Sequence, residues 1–501
     1  MYYQRKRGDI ILSKDAICGG LIKKRKSRNN FQSNQHKTKQ NKRSVKRHKL
    51  LVCDNNGTLR DLKSTDTLWY LLYVKSPPRS ERLARKFRTR FRMPHQNFIT
   101  LSEDLEDHEI FNQWSCNDAT GLASSNIKLL LLGSLRYIGR AWTFDDIEEA
   151  NGISREINRV FLHCFLEYGS TILYKKWVLN PSLNANVNEL EKLFRLAGFN
   201  GCIGSSDATH VGMLCCTSWA QILHKGFKLN IPSRTYNMTV DHTRKILGST
   251  LGHPATWNDK TVILFDELVC KVRDRKIYKD FEFMLFERDK NNNIIEVPYK
   301  GVWFLVDNGY LDWSCTVPPI KHGLTYEEIR FSEWLESMRK DVECAFGILK
   351  GRFSILRYGI RLESISKCDQ VWLTCCALHN MLLHIDGLDK NWENGVSSDW
   401  EIINECNKHK AKKLETSFAI SRLNRKLDEI LDQVAYDVQP KTTELRMESC
   451  DNFDEYTVNG KRVVAKMPLN VFQNCLVKHF DIRFKQNDIV WPRRIPKPQV
   501  I

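Results

Sequence analysis

GSSDATHVGM (residues 204–213) and GVWFLVDNGY (residues 301–310) decide how this chain is read. In each, a run of small or apolar residues leads into one aspartate, Asp207 or Asp307, and then into a polar or turn-like stretch. That is how a buried strand reads as it reaches its end. A third acid, Glu343, stands in SMRKDVECAFGILKGRF (residues 337–353). Around it Leu335, Met338, Val342, Phe346 and Leu349 recur every three or four residues, which predicts a helix over 326–350 with one buried stripe. Glu343 falls at the edge of that stripe, within reach of the end of a neighbouring strand. Carboxylate oxygens are hard ligands suited to Mg2+ or Mn2+, and two such ions can clamp the attacking and leaving oxygens of a phosphodiester. The chemistry implied is phosphoryl transfer on nucleic acid.

Between the two aspartates the pattern is that of strands and short helices. Thr235–Val240 and Ile246–Leu251 read as an antiparallel pair turning at Arg244-Lys245. Asn258-Asp259 caps a helix over DKTVILFDELVCKV, and a second hairpin centred on Asn291-Asn292-Asn293 leads to the Asp307 strand. The expected fold is α/β. Two strand-end aspartates and a glutamate from a covering helix are the geometry of an RNase H-like core, a mixed sheet with flanking helices, assigned to residues 198–385.

Upstream, residues 66–180 read as helical. An aromatic helix is interrupted at Pro77-Pro78 and resumes as a basic one bearing Arg82, Arg85, Lys86, Arg88, Arg90 and Arg92. This face is either simply solvated, with Phe87 and Phe91 as core anchors, or a contact for a DNA backbone. Three further helices follow: Leu129–Tyr137, Phe144–Ala150 after Thr143, and one from Arg155 after Ser154. Asn151-Gly152-Ile153 is a turn whose glycine can take positive φ, as a helix-turn-helix requires. In a DNA-binding version Arg155, Asn158 and Arg159 would face the major groove. A packed helical hairpin is the alternative, and Asp145, Asp146, Glu148 and Glu149 place negative charge beside it.

The net charge of +18 is concentrated in the first 50 residues, which hold 16 Lys/Arg against Asp9 and Asp15 and leave about +4 for the rest of the 501. Residues 1–60 have too few apolar side chains to bury a core. They read either as a nuclear-import signal with non-specific phosphate contacts or as a solubilising tail. The 16 cysteines include no C-x-x-C pair, so a structural zinc site is not expected. The basic start lacks a secretory core, and the Ile127–Leu132 segment is far too short to span a bilayer, so no membrane is expected. Residues 386–501 form a C-terminal extension with a charged amphipathic stretch (408–438) and a basic, aromatic end (481–500).

The ordered strings SPPRSERLARKFRTRFRMP, LLLLGSLRYIGRAWTFDDIEEA, GSSDATH, GHPATWNDKT, LVDNGY, RKDVECAFGILKGRF and CCALHNMLL make residues 66–385 resemble the PIF/Harbinger family of transposases, a branch of the DDE superfamily of endonucleases. The resemblance implies an RNase H-like nuclease with an upstream helical DNA-binding region, cutting transposon ends and joining them to target DNA with a divalent metal. It implies Asp207, Asp307 and Glu343 as the catalytic and metal-binding triad, with Asp207 bridging two ions. Asp259 is either a fourth metal ligand or only a helix cap. Arg339, Lys340, Lys350 and Arg352 around Glu343 either neutralise phosphate charge on bound DNA or are solvated. His210 touches substrate or, more in keeping with its strand, makes a structural hydrogen bond. His379-Asn380 reads as packing. Partners implied are DNA, a Myb-like end-binding protein and a second copy of the chain, in the nucleus. The alternative is a domesticated, catalytically silent DNA-binding protein.

Overall fold

The computed structural model describes residues 51–53, 59–61, 63–115, 124–226, 228–388 and 453–489. The chain divides into two units, Met1–Lys49 and Leu50–Ile501, and every described residue lies in the second. The basic tail up to Leu50 and the charged stretch 408–438 lie outside the described residues.

Strands β1 (Leu51–Cys53) and β2 (Leu59–Asp61) pair with each other. Helices α1 (Glu81–Phe91), α2 (His95–Glu106), α3 (Asn112–Ser115), α4 (Ile127–Arg140), α5 (Phe144–Asn151) and α6 (Arg155–Tyr168) follow. Local chemistry explains their ends. The Ser80 side chain accepts from Leu83 N–H to start α1, Thr143 and Asp146 form a reciprocal capping box on α5, and Ser154 caps α6. Gly152 closes α5 at φ 69°, the left-handed conformation expected of it. The helix continues past α6 in wider turns to α7 (Asn180–Leu183), and α8 (Val187–Leu196) leads into the sheet.

The main sheet is built from β3 (Cys202–Gly212), β4 (Ser233–Val240), β5 (Ile246–Ser249), β6 (His253–Pro254), β9 (Trp303–Leu305) and β10 (Thr316–Val317), with a short helix α9 (Ser218–His224) between β3 and β4. Its order is β10-β9-β3-β4-β5, with β6 also on β4. β3, β4 and β5 are antiparallel, whereas β9 and β10 run parallel to β3. Every residue of β4 is buried, as befits a central strand covered on both faces. β3 runs five residues past Asp207, because β4 pairs with it from Ser205 to Gly212. Asp207 therefore stands within a strand and not at its end. The expected single helix after Asn258 is broken into α10 (Asp259–Val262) and α11 (Glu267–Arg273), because buried Asp266 caps a new helix by accepting from Val269 N–H at 3.0 Å.

A second sheet, ordered β11-β12-β8-β7, joins the hairpin β7 (Glu282–Arg288) and β8 (Ile294–Lys300) to β11 (Thr457–Val458) and β12 (Lys461–Val463). Helix α12 (Tyr326–Arg352) packs Leu335, Met338, Val342, Phe346 and Leu349 inward, the stripe read from the sequence. Helices α13 (Ser354–Tyr358), α14 (Ile365–Ile385) and α15 (Leu469–Lys485) complete the described fold. Two contacts tie the regions together. One core contains Leu130 and Ile138 of α4, Tyr236 and Met238 of β4, and Trp372 and Leu378 of α14, so the upstream helices and the sheet share it. A second core sets Trp303 and Leu335 against Phe472 and Phe480 of α15. Residues read as a separate C-terminal extension thus cover the sheet. Close approach matters at Gly169, where an added Cβ would stand 2.5 Å from Thr374 of α14.

Candidate functional site

The parallel register pairs Ser205 of β3 with Leu305 of β9, and Asp207 and Asp307 each lie two residues further on. They emerge side by side. One Asp207 oxygen accepts from Ala208 N–H at 2.8 Å, and Asp307 accepts from Gly309 N–H at 2.7 Å. A Cβ added at Gly309 would stand 2.9 Å from Asp307 Oδ1 and 3.2 Å from Asp259 Oδ2, so these two carboxylates flank one glycine notch. Asp259 is free to do so because Asn258 is the cap, accepting from Thr261 N–H at 2.9 Å. Burial pushes the Asp207 carboxyl up to about 6, with the charges of Asp307 and Asp259 adding to the shift and Ala208 and Arg339 opposing it. Burial and Asp307 raise Asp259 as well, against the pull of Lys228. The charge of Asp307 therefore acts on both Asp207 and Asp259 where β9 ends beside β3.

A buried polar layer supports them. Tyr310 donates to Asn237 Oδ1 at 2.6 Å, and Asn237 donates to Ser206 Oγ at 2.9 Å and to Asp266 Oδ2 at 2.7 Å. Burial raises the Tyr310 hydroxyl, and Asp207, Asp259 and Asp307 all push it further up, so it stays a donor beneath the acids. The loop carrying Asp259 is braced by His253 stacked on Trp257 at 5.3 Å and Trp257 on Phe265 at 5.5 Å. None of this layer was read from the sequence.

Glu343 stands on α12 with its side chain 48% exposed, paired to Arg339 at 2.9 Å. The same guanidinium reaches Asp207 at 3.2 Å. Arg339 thus bridges two members of the expected triad. Lys340 is exposed on α12. Lys350 donates to Thr209 Oγ1 at 2.7 Å and to the His210 carbonyl at 3.0 Å, and burial lowers its pKa. His210 bonds Thr235 Oγ1 across the strands at 3.1 Å, and burial, then Lys228 and Lys350, pull it down to about 4. It is a neutral, cross-strand hydrogen-bonding residue. Arg352 corrects the sequence reading: it is 1% exposed and donates to the His379 carbonyl at 3.2 Å, so it lies inside the core and cannot meet DNA. Asn380, next to His379, binds both the N–H and the C=O of Ile246, which satisfies the edge of β5.

The upstream helices correct a second expectation. Asn158 is buried and bonded to Asn151 and to the Ile153 carbonyl, which fixes the α5–α6 turn from inside. Arg159 is exposed but held by Glu156 through bonds of 3.0 and 2.6 Å. Arg155 is exposed, and its N–H is taken by Glu148.

Residues 176–389 match the model of the plant transposon protein family. The chain is transposase-like. The matched segment contains Asp207, Asp259, Asp307, Glu343 and α14, whereas α1–α6 and the described C-terminal elements lie outside it. No curated protein and no solved structure matches the chain.

Among the described residues no three His, Cys, Asp or Glu side chains stand close enough together to hold a metal ion. The donor chemistry nevertheless fits a hard cation. Asp207, Asp259 and Asp307 supply oxygen ligands alone, and burial with mutual repulsion leaves negative charge there to be neutralised. Glu343 does not fit as it stands, being half exposed and tied to Arg339. No helix among the described residues is long and apolar enough to cross a membrane.

Proposed function

We propose that the protein is a metal-dependent DNA nuclease and strand-transfer enzyme of the PIF/Harbinger type, with an RNase H-like core carrying a DDE site. The observation that carries this reading is that Asp307 acts electrostatically on both Asp207 and Asp259 where β9 ends beside β3, within the segment similar to plant transposon proteins. The mixed sheet with α12 laid over it is compatible with such a core. Asp207, Asp307 and Asp259 would hold Mg2+ or Mn2+. A divalent ion held there would lower the pKa of an attacking water or 3′-hydroxyl and stabilise the departing oxygen. The chain's own residues supply the rest. Tyr310 and Asn237 hold the floor rigid, and Lys350 fixes the β3 backbone around Thr209 and His210. Arg339, once released from Glu343, has the planar donors to bind a phosphate oxygen, with Lys340 beside it. DNA ends and target, a nuclear location, a Myb-like partner and a homo-oligomer belong to the same proposal.

The Arg339 bridge favours a second reading, in which the chain binds DNA and does not cut it, since a guanidinium already compensates Asp207 and Glu343. The deciding experiment is Mg2+- or Mn2+-dependent nicking of DNA carrying the flanking terminal repeats. The wild type is compared with Asp207→Ala, Asp307→Ala and Glu343→Ala. Cleavage lost in the variants with DNA binding retained supports the nuclease. Binding without cleavage by the wild type, with a Myb-like partner supplied, supports the silent DNA-binding protein.

A further inference from the structure

The segment that carries Asp259 also turns apolar side chains outward. Trp257, just before the Asn258 cap, is 37% exposed, and Phe265, at the far end of the same segment, is 55% exposed, with Leu264 exposed beside it. Helix α9 extends the patch with exposed Ile222 and Leu223. The two segments touch: the Thr256 hydroxyl donates to the Leu223 carbonyl at 3.3 Å, and a Cβ added at Gly226 would stand 2.5 Å from the Ala255 carbonyl oxygen. Single exposed apolar residues are ordinary, but a joined patch of them marks a contact surface.

The rings in this patch are held in place. Trp257 N–H donates to the Pro254 carbonyl at 3.0 Å, and Asn258 fixes the start of α10 directly after it. His253 and Phe265 lie 5.3 and 5.5 Å from the Trp257 ring at interplanar angles of 18° and 29°, and only 4.9 Å from each other. Two rings stacked on opposite faces of a third would stand about 7 Å apart or more, twice a van der Waals separation. His253 and Phe265 therefore cover at most one face of the indole between them. Trp257 keeps a flat face for one more ring, and its exposure turns that face to solvent.

Charge decides what kind of ring belongs there. Lys225, Lys228 and Lys260 are exposed around the patch and form no ion pair among the described residues. Lys228 stands close enough for its charge to pull on both Asp259 and His210. An aromatic face among unpaired cations is complementary to a nucleic-acid strand, whose bases stack while its phosphates take the ammonium groups. A duplex keeps its bases inside, so such a face acts only on a base that has left its stack.

We propose that Trp257, backed by Phe265, is a stacking platform for an unpaired base of the DNA strand that reaches the acids, with Lys228 and Lys260 on its phosphates. That the strand is DNA rests on the nuclease reading above.

The test uses the full chain in EDTA, so that metal-dependent cleavage does not intervene, with a labelled oligothymidylate and a strand of equal length made of abasic nucleotides. The abasic strand keeps the phosphates and loses every ring. Trp257→Leu keeps apolar bulk against Phe265, Trp257→Phe restores a smaller ring, and Phe265→Leu supplies a second variant at the more exposed position. The platform predicts that Trp257→Leu binds oligothymidylate about tenfold more weakly with an unchanged salt dependence, that Phe265→Leu loses less and that Trp257→Phe keeps most of the affinity. None of the three changes binding of the abasic strand. Lys228→Met weakens both strands alike and lowers the slope of log affinity against log salt by about 0.7. Equal affinity of wild type, Trp257→Leu and Phe265→Leu for oligothymidylate overturns the platform, and so does a wild type that binds neither strand. An equal loss on the abasic strand overturns it too, because a merely structural ring would weaken both. If the affinities are equal and sedimentation shows a dimer that Trp257→Leu dissociates, the patch belongs to a second copy of the chain. Stacking through Trp257 without any Mg2+- or Mn2+-dependent nicking of terminal-repeat DNA leaves the platform and sinks the nuclease reading; nicking without a Trp257 effect does the reverse.

Discussion

Two groups of buried carboxylates flank β4, and they are compensated in opposite ways. Where α14 crosses the strand, Asp369 accepts from Arg234 Nε at 2.7 Å and Nη2 at 2.7 Å, from Tyr236 at 2.9 Å and from Gly252 N–H at 3.2 Å. Burial works against the Arg234 charge, and the hydrogen bonds and charge of Asp369 more than offset it, so the guanidinium holds its proton more tightly than usual. Elsewhere in the sheet burial raises Asp207 and Asp259, with the charge of Asp307 adding to both shifts, and Arg339 is the one cation bonded to Asp207 among the described residues. A carboxylate with all its partners is part of the frame. Carboxylates short of partners cost stability and are kept where chemistry needs them.

The largest expected effect breaks the compensated node. Asp369→Ala leaves Arg234 buried without its counter-ion, and denaturant unfolding is expected to lose about 3–5 kcal/mol. If it loses under ~1 kcal/mol, the contrast between the two groups fails. Next, Asp207→Asn or Asp307→Asn is expected to cut metal-dependent DNA cleavage at least about a hundredfold, each tenfold being ~1.4 kcal/mol of barrier. Cleavage by Asp369 variants should fall only with their folded fraction.

The third prediction concerns pH. Asp207 has a folded pKa of about 6, above its unfolded value. For an acid raised in this way the folded state binds the proton more tightly, so stability is lost as pH rises from about 4 through 6. Asp207→Asn should match wild type near pH 4 and exceed it by roughly 1–3 kcal/mol at pH 7. Equal stability at both pH values would remove the strain assigned to the acid cluster. Saturating Mn2+ should raise the wild-type melting temperature, by the equivalent of ~2.7 kcal/mol at a hundred times its Kd, and leave Asp207→Asn unmoved. The smallest effect belongs to the upstream helices. Asn158→Ala should cost about 1–2 kcal/mol through its lost buried bonds while leaving duplex affinity intact. A selective loss of affinity would restore α6 as the recognition element.

Much of this was legible locally. The α12 stripe, the Thr143 and Ser154 caps, the Gly152 turn and the two hairpins are each written within a few neighbouring residues, because helical period, cap chemistry and turn backbone act over that range. The order of the acids was legible as well. What Arg352 or Asn158 faces was not: both have polar side chains at positions that would suit a solvent or DNA face. Only the neighbour packed against that side, α14 for Arg352 and the α5–α6 turn for Asn158, turns it inward.

By itself the sequence determined where most helices and strands lie, and that two strand-linked aspartates precede a helical glutamate. Tertiary structure alone decided that Asp259 stands with Asp307 across a glycine, that Arg339 bridges Asp207 and Glu343, and that β12 and α15 return to cover the sheet. It also decided that Arg92 and Arg136 are buried with no ion pair among the described residues. The reason is range. Period and capping are properties of adjacent residues, whereas charge compensation and burial depend on groups such as Arg234 and Asp369, or Asp207 and Arg339, that lie far apart in the chain and meet only after the cores have closed.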